Sequence, residues 1–352
     1  MAKRRKRKST KNPVLPVLLL ILGILIISGL LGLENATTDM PKATNIISKI
    51  FTSDTASKDK VSTNVNKDKE DKNTSDNSTN GIEDEEKKQV ITPLTTSLKL
   101  HFIDVGQADS ILLEQNGEFM LIDGGNKDDS SIVVEYLKNS GVKELKYVIA
   151  THIHEDHIGG LPTVLKSFPV KNFYIGKRTA TTSIYKNLVS TAKNLKLTFT
   201  EPKVGEKFNL GGAEITIVSP NSSGYEDLNN DSIVVRVVYG NNSFLLTGDA
   251  EDESEAEMLK SGQTIKADLL KIGHHGSPSS TTAAFLKAVN PKYAVISVGK
   301  DNSYKHPAKA TMNRLKAASI PVYRTDESGT IVATSDGNNI TFDKGLGSYN
   351  GR

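Results

Sequence analysis

The stretch YVIATHIHEDH, residues 147–157, joins an apolar run to a dense cluster of polar side chains. The run YVIA is typical of a buried strand, and three histidines and two carboxylates occupy the six residues from His152 to His157. Such a cluster is costly unless a cation organises it, because neutral imidazole and carboxylate are ligands of zinc, manganese and iron. We expect His152 and His154 to reach one ion, and Asp156 and His157 to reach another.

Two later segments repeat the pattern of an apolar strand followed by ligand residues. SFLLTGD ends in Asp249, and ADLLKIGHHGS carries His274 and His275. A carboxylate at one strand end could bridge two cations, and a histidine at the next could complete the second site. Taken separately, Asp249 is equally explained as a helix cap, and the histidine pair as an exposed turn.

From Leu98 onwards, short β-like runs separated by Gly or Asn turns are interspersed with helical patterns. This texture predicts one layered α/β domain over residues 96–352. That domain carries 28 basic and 29 acidic residues, so it lacks the basic excess of a broad nucleic-acid surface. The chain has no cysteine, which excludes disulfides, thiolate-held metals and a catalytic cysteine.

Three segments precede this domain. Residues 1–12 are a basic tail, 13–33 hold an uncharged apolar run of twenty residues, and 34–95 are rich in Ser, Thr, Asn, Asp and Lys. About 20 apolar residues span a bilayer as a helix, and a basic flank stays cytoplasmic. We therefore expect a single-pass anchor in the cell membrane, with the N-terminus cytoplasmic and the catalytic domain extracytoplasmic. A cleaved signal peptide is the alternative, and the polar linker is predicted to be disordered.

Seven motifs in order carry a family resemblance: HFIDVGQADSILL, LIDGG, THIHEDHIGGL, NNDSIVVRV, LLTGD, KIGHHGS and NSYKHP. HIHEDH matches the HxHxDH signature of the metallo-β-lactamase superfamily. The set over roughly residues 97–341 looks like the metallo-hydrolase domain of the competence protein ComEC and its stand-alone relatives. The resemblance implies an α/β fold of the four-layer αββα sandwich type.

The resemblance also implies a ligand set for two metal ions. Its members are His152 and His154 for the first ion, Asp156 and His157 for the second, and Asp249 as the bridge. One of His274 and His275, with His275 favoured, would complete the second site, and the other would face the substrate. Many superfamily members supply a third histidine to the first ion, but this chain has none between His157 and His274. An oxygen ligand from Asn230 or Asp231 would replace it and favour manganese, or the first site would be weak or empty.

Further residues are implied around the metals. Asp123 would hydrogen-bond the metal-binding loop, although a turn role would also explain it. Asp104, Gln107 and Asp109 would line the rim or serve structural roles. His306 would contact the substrate phosphate or donate a proton, with Ser303 and Tyr304 nearby, unless it is a surface histidine at a helix start.

These expectations combine into a membrane-anchored metal-dependent hydrolase. Two divalent ions, zinc or manganese, would generate a metal-bound hydroxide for phosphodiester cleavage, with Asp156, His274 and His306 as catalytic residues. The expected partners are a phosphodiester substrate, with DNA as one candidate, and the membrane through the N-terminal helix. The alternatives are a phosphocholine or teichoic-acid phosphodiesterase, a lactam or lactone hydrolase, and a non-catalytic surface-binding module.

Overall fold

The computed structural model describes residues 96–352. The tail, the apolar run and the linker expected over residues 1–12, 13–33 and 34–95 lie outside the described residues. Within residues 96–352, no helix is both long enough and apolar enough to cross a membrane.

The fifteen strands of the described region are β1 (Leu98–Phe102), β2 (Ile111–Gln115), β3 (Glu118–Ile122), β4 (Leu145–Ala150), β5 (Val170–Ile175), β6 (Phe199–Thr200), β7 (Lys207–Leu210), β8 (Ala213–Ser219), β9 (Val234–Tyr239), β10 (Asn242–Leu246), β11 (Leu269–Lys271), β12 (Tyr293–Ile296), β13 (Val322–Arg324), β14 (Ile331–Ser335) and β15 (Ile340–Phe342). Its α-helices are α1 (Ser130–Asn139), α2 (Glu155–Ile158), α3 (Leu161–Ser167), α4 (Ser183–Asn194), α5 (Asp252–Lys260), α6 (Ala283–Val289), α7 (Lys309–Ala317) and α8 (Thr325–Ser328). Short 3₁₀ segments cover Lys127–Asp129, Leu228–Asp231 and Gly273–Gly276.

The strands form two mixed sheets. The first has eight strands in the order β15-β14-β1-β2-β3-β4-β5-β6, and the second has seven in the order β13-β12-β11-β10-β9-β8-β7. Strands β3 to β6 run parallel in the first sheet, as do β10 to β13 in the second. Because the carboxyl ends of parallel strands meet at one edge of a sheet, the loops that follow them share that edge.

Both faces of each sheet are buried, which gives four layers. In β4, Tyr147 and Ile149 point into a core between the sheets, whereas Val148 packs under the helices of the first half. In the second half, Met258 of α5 and Phe285 of α6 join an outer core on the other sheet. Strands buried on both faces read as continuous apolar runs. The predicted α/β sandwich is confirmed.

Candidate metal centre

The loop after β4 carries the HIHEDH motif and rests on Asp123, which follows β3. One oxygen of Asp123 accepts a hydrogen bond from the Thr151 backbone N–H at 2.8 Å. The other accepts from the Thr151 hydroxyl at 2.7 Å and lies 2.8 Å from Nδ1 of His157. A carboxylate at Nδ1 makes that nitrogen the donor, which leaves Nε2 of His157 available as a ligand. The structure thus places Asp123 where the resemblance implied.

Glycines let this loop and the Gly124-Gly125 turn approach each other closely. A Cβ on Gly160 would lie 2.0 Å from the carbonyl oxygen of Gly124, and a Cβ on Gly124 would lie 2.9 Å from the backbone nitrogen of Leu161. Neither distance is compatible with a side chain. The two glycines therefore set the depth at which Asp123 meets the HIHEDH loop.

The densest group of possible ligands comprises Asp156, His157, Asp249 and His275, and one ligand atom from each lies within 4.8 Å of the others. Nε2 of His157 is 3.2 Å from Oδ2 of Asp249. Nε2 of His275 is 3.2 Å from Oδ2 of Asp156 and 3.5 Å from Oδ2 of Asp249. Within the described region, the buried atoms Nε2 of His157 and Oδ1 of Asp249 have no hydrogen-bond partner. Unpaired buried ligand atoms that converge in this way fit a divalent cation.

The electrostatics of this group also fit a cation. Burial lowers the pKa of His157, but the carboxylates of Asp249, Asp123 and Asp156 outweigh it and raise that pKa well above its ordinary value. Burial raises the pKa of Asp249, but His157 and His275 outweigh it and hold that pKa well below its usual range. The arrangement therefore favours ionised carboxylates around a positive charge, which a divalent ion would supply.

A second possible site adjoins this group. Nε2 of His152 lies 3.0 Å from Nδ1 of His154, and the His152 ring centroid is 4.1 Å from that of His157. Burial, and then the neighbouring His157, lowers the pKa of His152 well below its ordinary value. Neutral imidazole is the form that binds metals. The two imidazoles are thus placed to hold an ion next to the one that Asp156 and its neighbours would hold.

The segment after β11 presents two histidines through an unusual backbone. His274 and His275 both have positive φ, at 47° and 52°, which is uncommon for residues other than glycine. Nδ1 of His275 lies 3.0 Å from the carbonyl oxygen of Ser297, so Nε2 points inward. The His275 side chain is 2% exposed and that of His274 is 23% exposed. His275 therefore belongs to the buried group and His274 to the mouth of the site.

Asn230 and Asp231 do not offer their oxygens to the first site, which corrects the expectation for both. Oδ1 of Asn230 accepts hydrogen bonds from the backbone N–H groups of Glu251 and Ser254 at 3.1 and 3.0 Å, where helix α5 begins. The first N–H groups of a helix need such acceptors. Oδ2 of Asp231 is paired with Nε of Arg178 at 2.8 Å, in a different pocket.

Asn229 is the residue of this segment that lines the metal-centre pocket. Its Nδ2 donates to Oε1 of Glu251 at 3.3 Å, and its buried Oδ1 has no hydrogen-bond partner within residues 96–352. Ser232 contributes beneath the site, since its hydroxyl lies 3.4 Å from Nδ1 of His152. The oxygen available at this position is therefore the amide oxygen of Asn229.

An open pocket of about 530 Å³ lies over the centre. Its lining residues are Gln107, Asn126, His154, Glu155, Asp156, Asn229, Asp249, His274, His275, Tyr304 and His306. The ring of His306 lies 5.4 Å from that of His274, centroid to centroid, and Tyr304 stacks at 5.9 Å on the outer side of His306. Asn302 shapes this loop, because its Oδ1 accepts from the His306 N–H and its Nδ2 donates to the His306 carbonyl.

Of the residues expected around the rim, some line the pocket and others do not. Gln107 lines the pocket and its Oε1 accepts a hydrogen bond from the Gly299 N–H at 3.0 Å. Asp104 is exposed and its Oδ1 accepts from the Gly106 N–H in its own turn, so it is outside the pocket. Ser303 is likewise exposed and lies outside the lining.

Asp109 is not a rim residue either, because it is buried beneath the site. Its Oδ2 lies 2.5 Å from Nζ of Lys271, which is fully buried. Its Oδ1 is 3.5 Å from Nδ1 of His275. A buried lysine needs a carboxylate partner to offset the loss of hydration, so Asp109 is the counter-ion of Lys271.

Glu251 was missed by the sequence reasoning and is closely tied to the site. Its Oε1 lies 2.8 Å from Nδ1 of His274 and accepts a hydrogen bond from the Ser279 hydroxyl at 2.6 Å. The only sequence signal was its position two residues after Asp249, where an acidic residue is equally explained by the start of a helix.

Comparison with known proteins places the chain in a family. The profile of the metallo-beta-lactamase superfamily matches residues 103–300. ComE operon protein 3 of Bacillus subtilis (strain 168) is 33% identical over 256 residues, covering 68% of this chain and 33% of that protein. Competence protein ComA of Neisseria gonorrhoeae is 32% identical over 230 residues, covering 65% of this chain and 31% of that protein. The chain thus spans about a third of the length of these curated relatives.

Among solved structures, the metallo-beta-lactamase fold protein YhfI from Bacillus subtilis is 14% identical with a TM-score of 0.46, covering 68% of this chain and 100% of that one. The sequence matches and the cluster of His and Asp ligands agree with each other. The chain belongs to the metallo-beta-lactamase superfamily, as a ComEC-like metal-dependent hydrolase.

Proposed function

We propose that this chain is a phosphodiesterase that acts outside the cytoplasm while anchored to the membrane by its N-terminal apolar run. One observation carries the chemistry: ligand atoms of Asp156, His157, Asp249 and His275 converge within 4.8 Å. Of these residues, Asp156, Asp249 and His275 line a pocket that His274 and His306 also line. Ligands for divalent ions thus lie beside two imidazoles, those of His274 and His306, that are not assigned to a metal.

Divalent ions bound here, zinc or manganese, would lower the pKa of a water molecule and offset charge that develops on the substrate. Asp156, His157 and His275 would hold one ion, His152 and His154 the other, and Asp249 would lie between them. The protein's further task is to stabilise the leaving oxygen. Nε2 of His274 is 3.7 Å from Oδ2 of Asp249, at the mouth of the site, where it could donate a proton to that oxygen.

The make-up of the pocket supports a diester substrate. Within residues 96–352, no lysine or arginine side chain lines this pocket. A phosphate monoester carries nearly two negative charges at neutral pH, whereas a diester carries one, so a monoester has the greater need for a fixed cation. The histidines and bound ions would suffice for a diester.

His306 would contact the substrate in its neutral form. Burial, assisted by the nearby His274 and His275, lowers the pKa of His306 to about 4. Its imidazole can then donate a hydrogen bond to a phosphate oxygen without carrying a charge. We therefore assign proton donation to His274 and substrate contact to His306.

DNA is the first natural substrate to test, because one relative is named a competence protein. Tyr304, which is 69% exposed beside His306, offers a ring on which a base or a quaternary ammonium group could stack. Phosphocholine esters should therefore be compared with DNA side by side, at several salt concentrations. Loss of DNA cleavage with retained diesterase activity would favour the phosphocholine reading.

The decisive experiment uses the full-length chain in detergent with bis(4-nitrophenyl) phosphate and added Mn²⁺ or Zn²⁺. We expect turnover that is abolished in His154→Ala and Asp249→Ala but retained in Glu257→Gln, whose side chain bonds Ser222 outside the pocket. Equal turnover in the two ligand variants would refute the proposal. For the location, external protease should degrade the domain on intact cells, and protection of the domain would refute the proposed orientation.

A further inference from the structure

Glu251 connects to more of the pocket than any role at a helix start requires. Its Oε1 alone accepts hydrogen bonds from the Ser279 hydroxyl at 2.6 Å and from Nδ2 of Asn229 at 3.3 Å, and it lies 2.8 Å from Nδ1 of His274. The carboxylate does not cap α5, where it stands as the N-cap residue without a side-chain cap bond. The α5 N–H groups of Glu251 and Ser254 are served instead by Asn230.

The hydrogen bonds to Glu251 determine how two pocket side chains are oriented. A carboxylate accepts and does not donate, so Nδ1 of His274 must carry the proton on that side and Nε2 must face the pocket. The same reasoning fixes the Asn229 amide, since its nitrogen faces Glu251 and its oxygen faces away.

Resting on the proposed phosphodiesterase function, we propose that Glu251 is a positioning residue that aims Nε2 of His274 at the leaving oxygen of the substrate. As the bond between phosphorus and the leaving oxygen breaks, the Nε2 proton passes to that oxygen. His274 is left neutral, with its proton still on Nδ1 and hydrogen-bonded to Glu251, and water returns the Nε2 proton afterwards. Partners that orient metal-ligating histidines typically contribute about 10–100-fold to activity, and we expect Glu251 to act on His274 on the same scale.

The geometry around Ser279 supports this assignment. The Ser279 hydroxyl also lies 2.7 Å from that of Ser277, so the carboxylate is held from the side away from the pocket. The Glu251 side chain is 11% exposed. A group held in this way loses little further entropy when the substrate binds, which is the condition for positioning a proton donor.

The test compares two diesters that differ in the basicity of the leaving oxygen. Bis(4-nitrophenyl) phosphate releases a stable anion that needs little protonation, whereas diphenyl phosphate releases a much more basic one. For Glu251→Gln and His274→Gln in the full-length chain, we expect kcat on diphenyl phosphate to fall about 10–100-fold. We expect a fall of less than about threefold on bis(4-nitrophenyl) phosphate, with KM nearly unchanged for both.

A double-variant cycle separates positioning from a structural role. If Glu251 acts through His274, Glu251→Gln should change kcat by less than about twofold in the His274→Gln background. Ser279→Ala should give a smaller loss with the same leaving-group preference, and Glu257→Gln on the same helix should give none. Unfolding curves and metal content should match the wild type, and Glu251→Asp provides a second variant if Glu251→Gln folds poorly.

Equal losses on both substrates, additive losses in the double variant, or loss of bound metal would each overturn the assignment. Failure of the proposed function looks different. In that case the wild-type chain itself would hydrolyse neither diester, whatever residue stands at position 251.

Discussion

Nδ1 of His157 lies 2.8 Å from Oδ2 of Asp123, and both side chains are buried beneath the candidate metal centre. The bond joins the end of β3 to the HIHEDH loop after β4, two neighbouring parallel strands. The positions of the two strand ends therefore determine how the His157 imidazole is oriented. Because Nδ1 is committed to Asp123, Nε2 is directed at Asp249.

Replacing Asp123 should weaken metal binding. In Asp123→Asn, an NH₂ group replaces one of the two acceptor oxygens and faces either the Thr151 backbone N–H or the Nδ1 proton of His157, so we expect the affinity for Mn²⁺ to fall about 10–100-fold. Isothermal titration of the full-length chain measures this. Asp336→Asn, in an exposed turn where Asp336 accepts bonds from Asn338 and Asn339, should leave the affinity unchanged. Unaltered Mn²⁺ affinity in Asp123→Asn would show that the bond is dispensable.

Removing divalent ions should destabilise the domain, because Asp156 and Asp249 then lose the charge that offsets their burial. A ligand at a hundredfold excess over its Kd adds about 2.7 kcal/mol per site to the free energy of unfolding. For a domain of this size, that corresponds to a rise in Tm of roughly 5–10 °C. Differential scanning calorimetry with EDTA and then with excess Mn²⁺ measures the shift. An Asp249→Ala chain should show a smaller shift, and identical Tm values in wild-type protein would contradict metal binding.

Asp231→Asn and Asn230→Ala should both retain the wild-type metal content, because neither oxygen faces the ligand cluster. Asn230→Ala should nevertheless lower the free energy of unfolding by about 0.5–2 kcal/mol, since the first N–H groups of α5 lose their acceptor. Elemental analysis and urea unfolding of the same samples separate the two effects. A drop in metal content in Asp231→Asn would instead reinstate Asp231 as a ligand.

The position of the HIHEDH motif at the end of a strand could be predicted because the apolar pattern before it is typical of a buried strand. Apolar runs before Asp123, His152, Asp249 and His275 predict strands, and parallel strands bring their ends together whatever the details of the side chains. A layered α/β domain with these residues at strand ends could therefore be predicted from the sequence pattern, whereas the four-layer sandwich and the ligand set were implied by the family resemblance. The segment from Asn229 to Ser232 precedes β9, and its place near the site was implied by the family resemblance.

The sequence alone could not show which of the three successive polar residues Asn229, Asn230 and Asp231 faces the pocket. That choice depends on the 3₁₀ turn over Leu228–Asp231 and on the demand of α5 for an acceptor at its start, which Asn230 meets. The choice between a rim position and a structural role for Asp109 stayed open for a related reason, since its partner Lys271 lies more than a hundred residues away. A lysine that ends the apolar run ADLLK was the available sign that a buried carboxylate must lie nearby.

His306 predicts a pH dependence of stability. Burial and the nearby His274 and His275 lower its pKa to about 4 in the folded domain, against about 6.5 in an unfolded chain. Between these values the unfolded chain binds a proton that the folded chain does not, so the free energy of unfolding falls as pH falls through this window. A cation bound beside His275 would also lower the pKa of His306. His306→Gln removes this group, and we expect its free energy of unfolding to decline less than that of the wild type as the pH drops from about 7 to about 4.5. Urea unfolding across that range measures the difference, and His306→Gln and wild-type curves that run parallel would show that His306 protonates normally in the folded state.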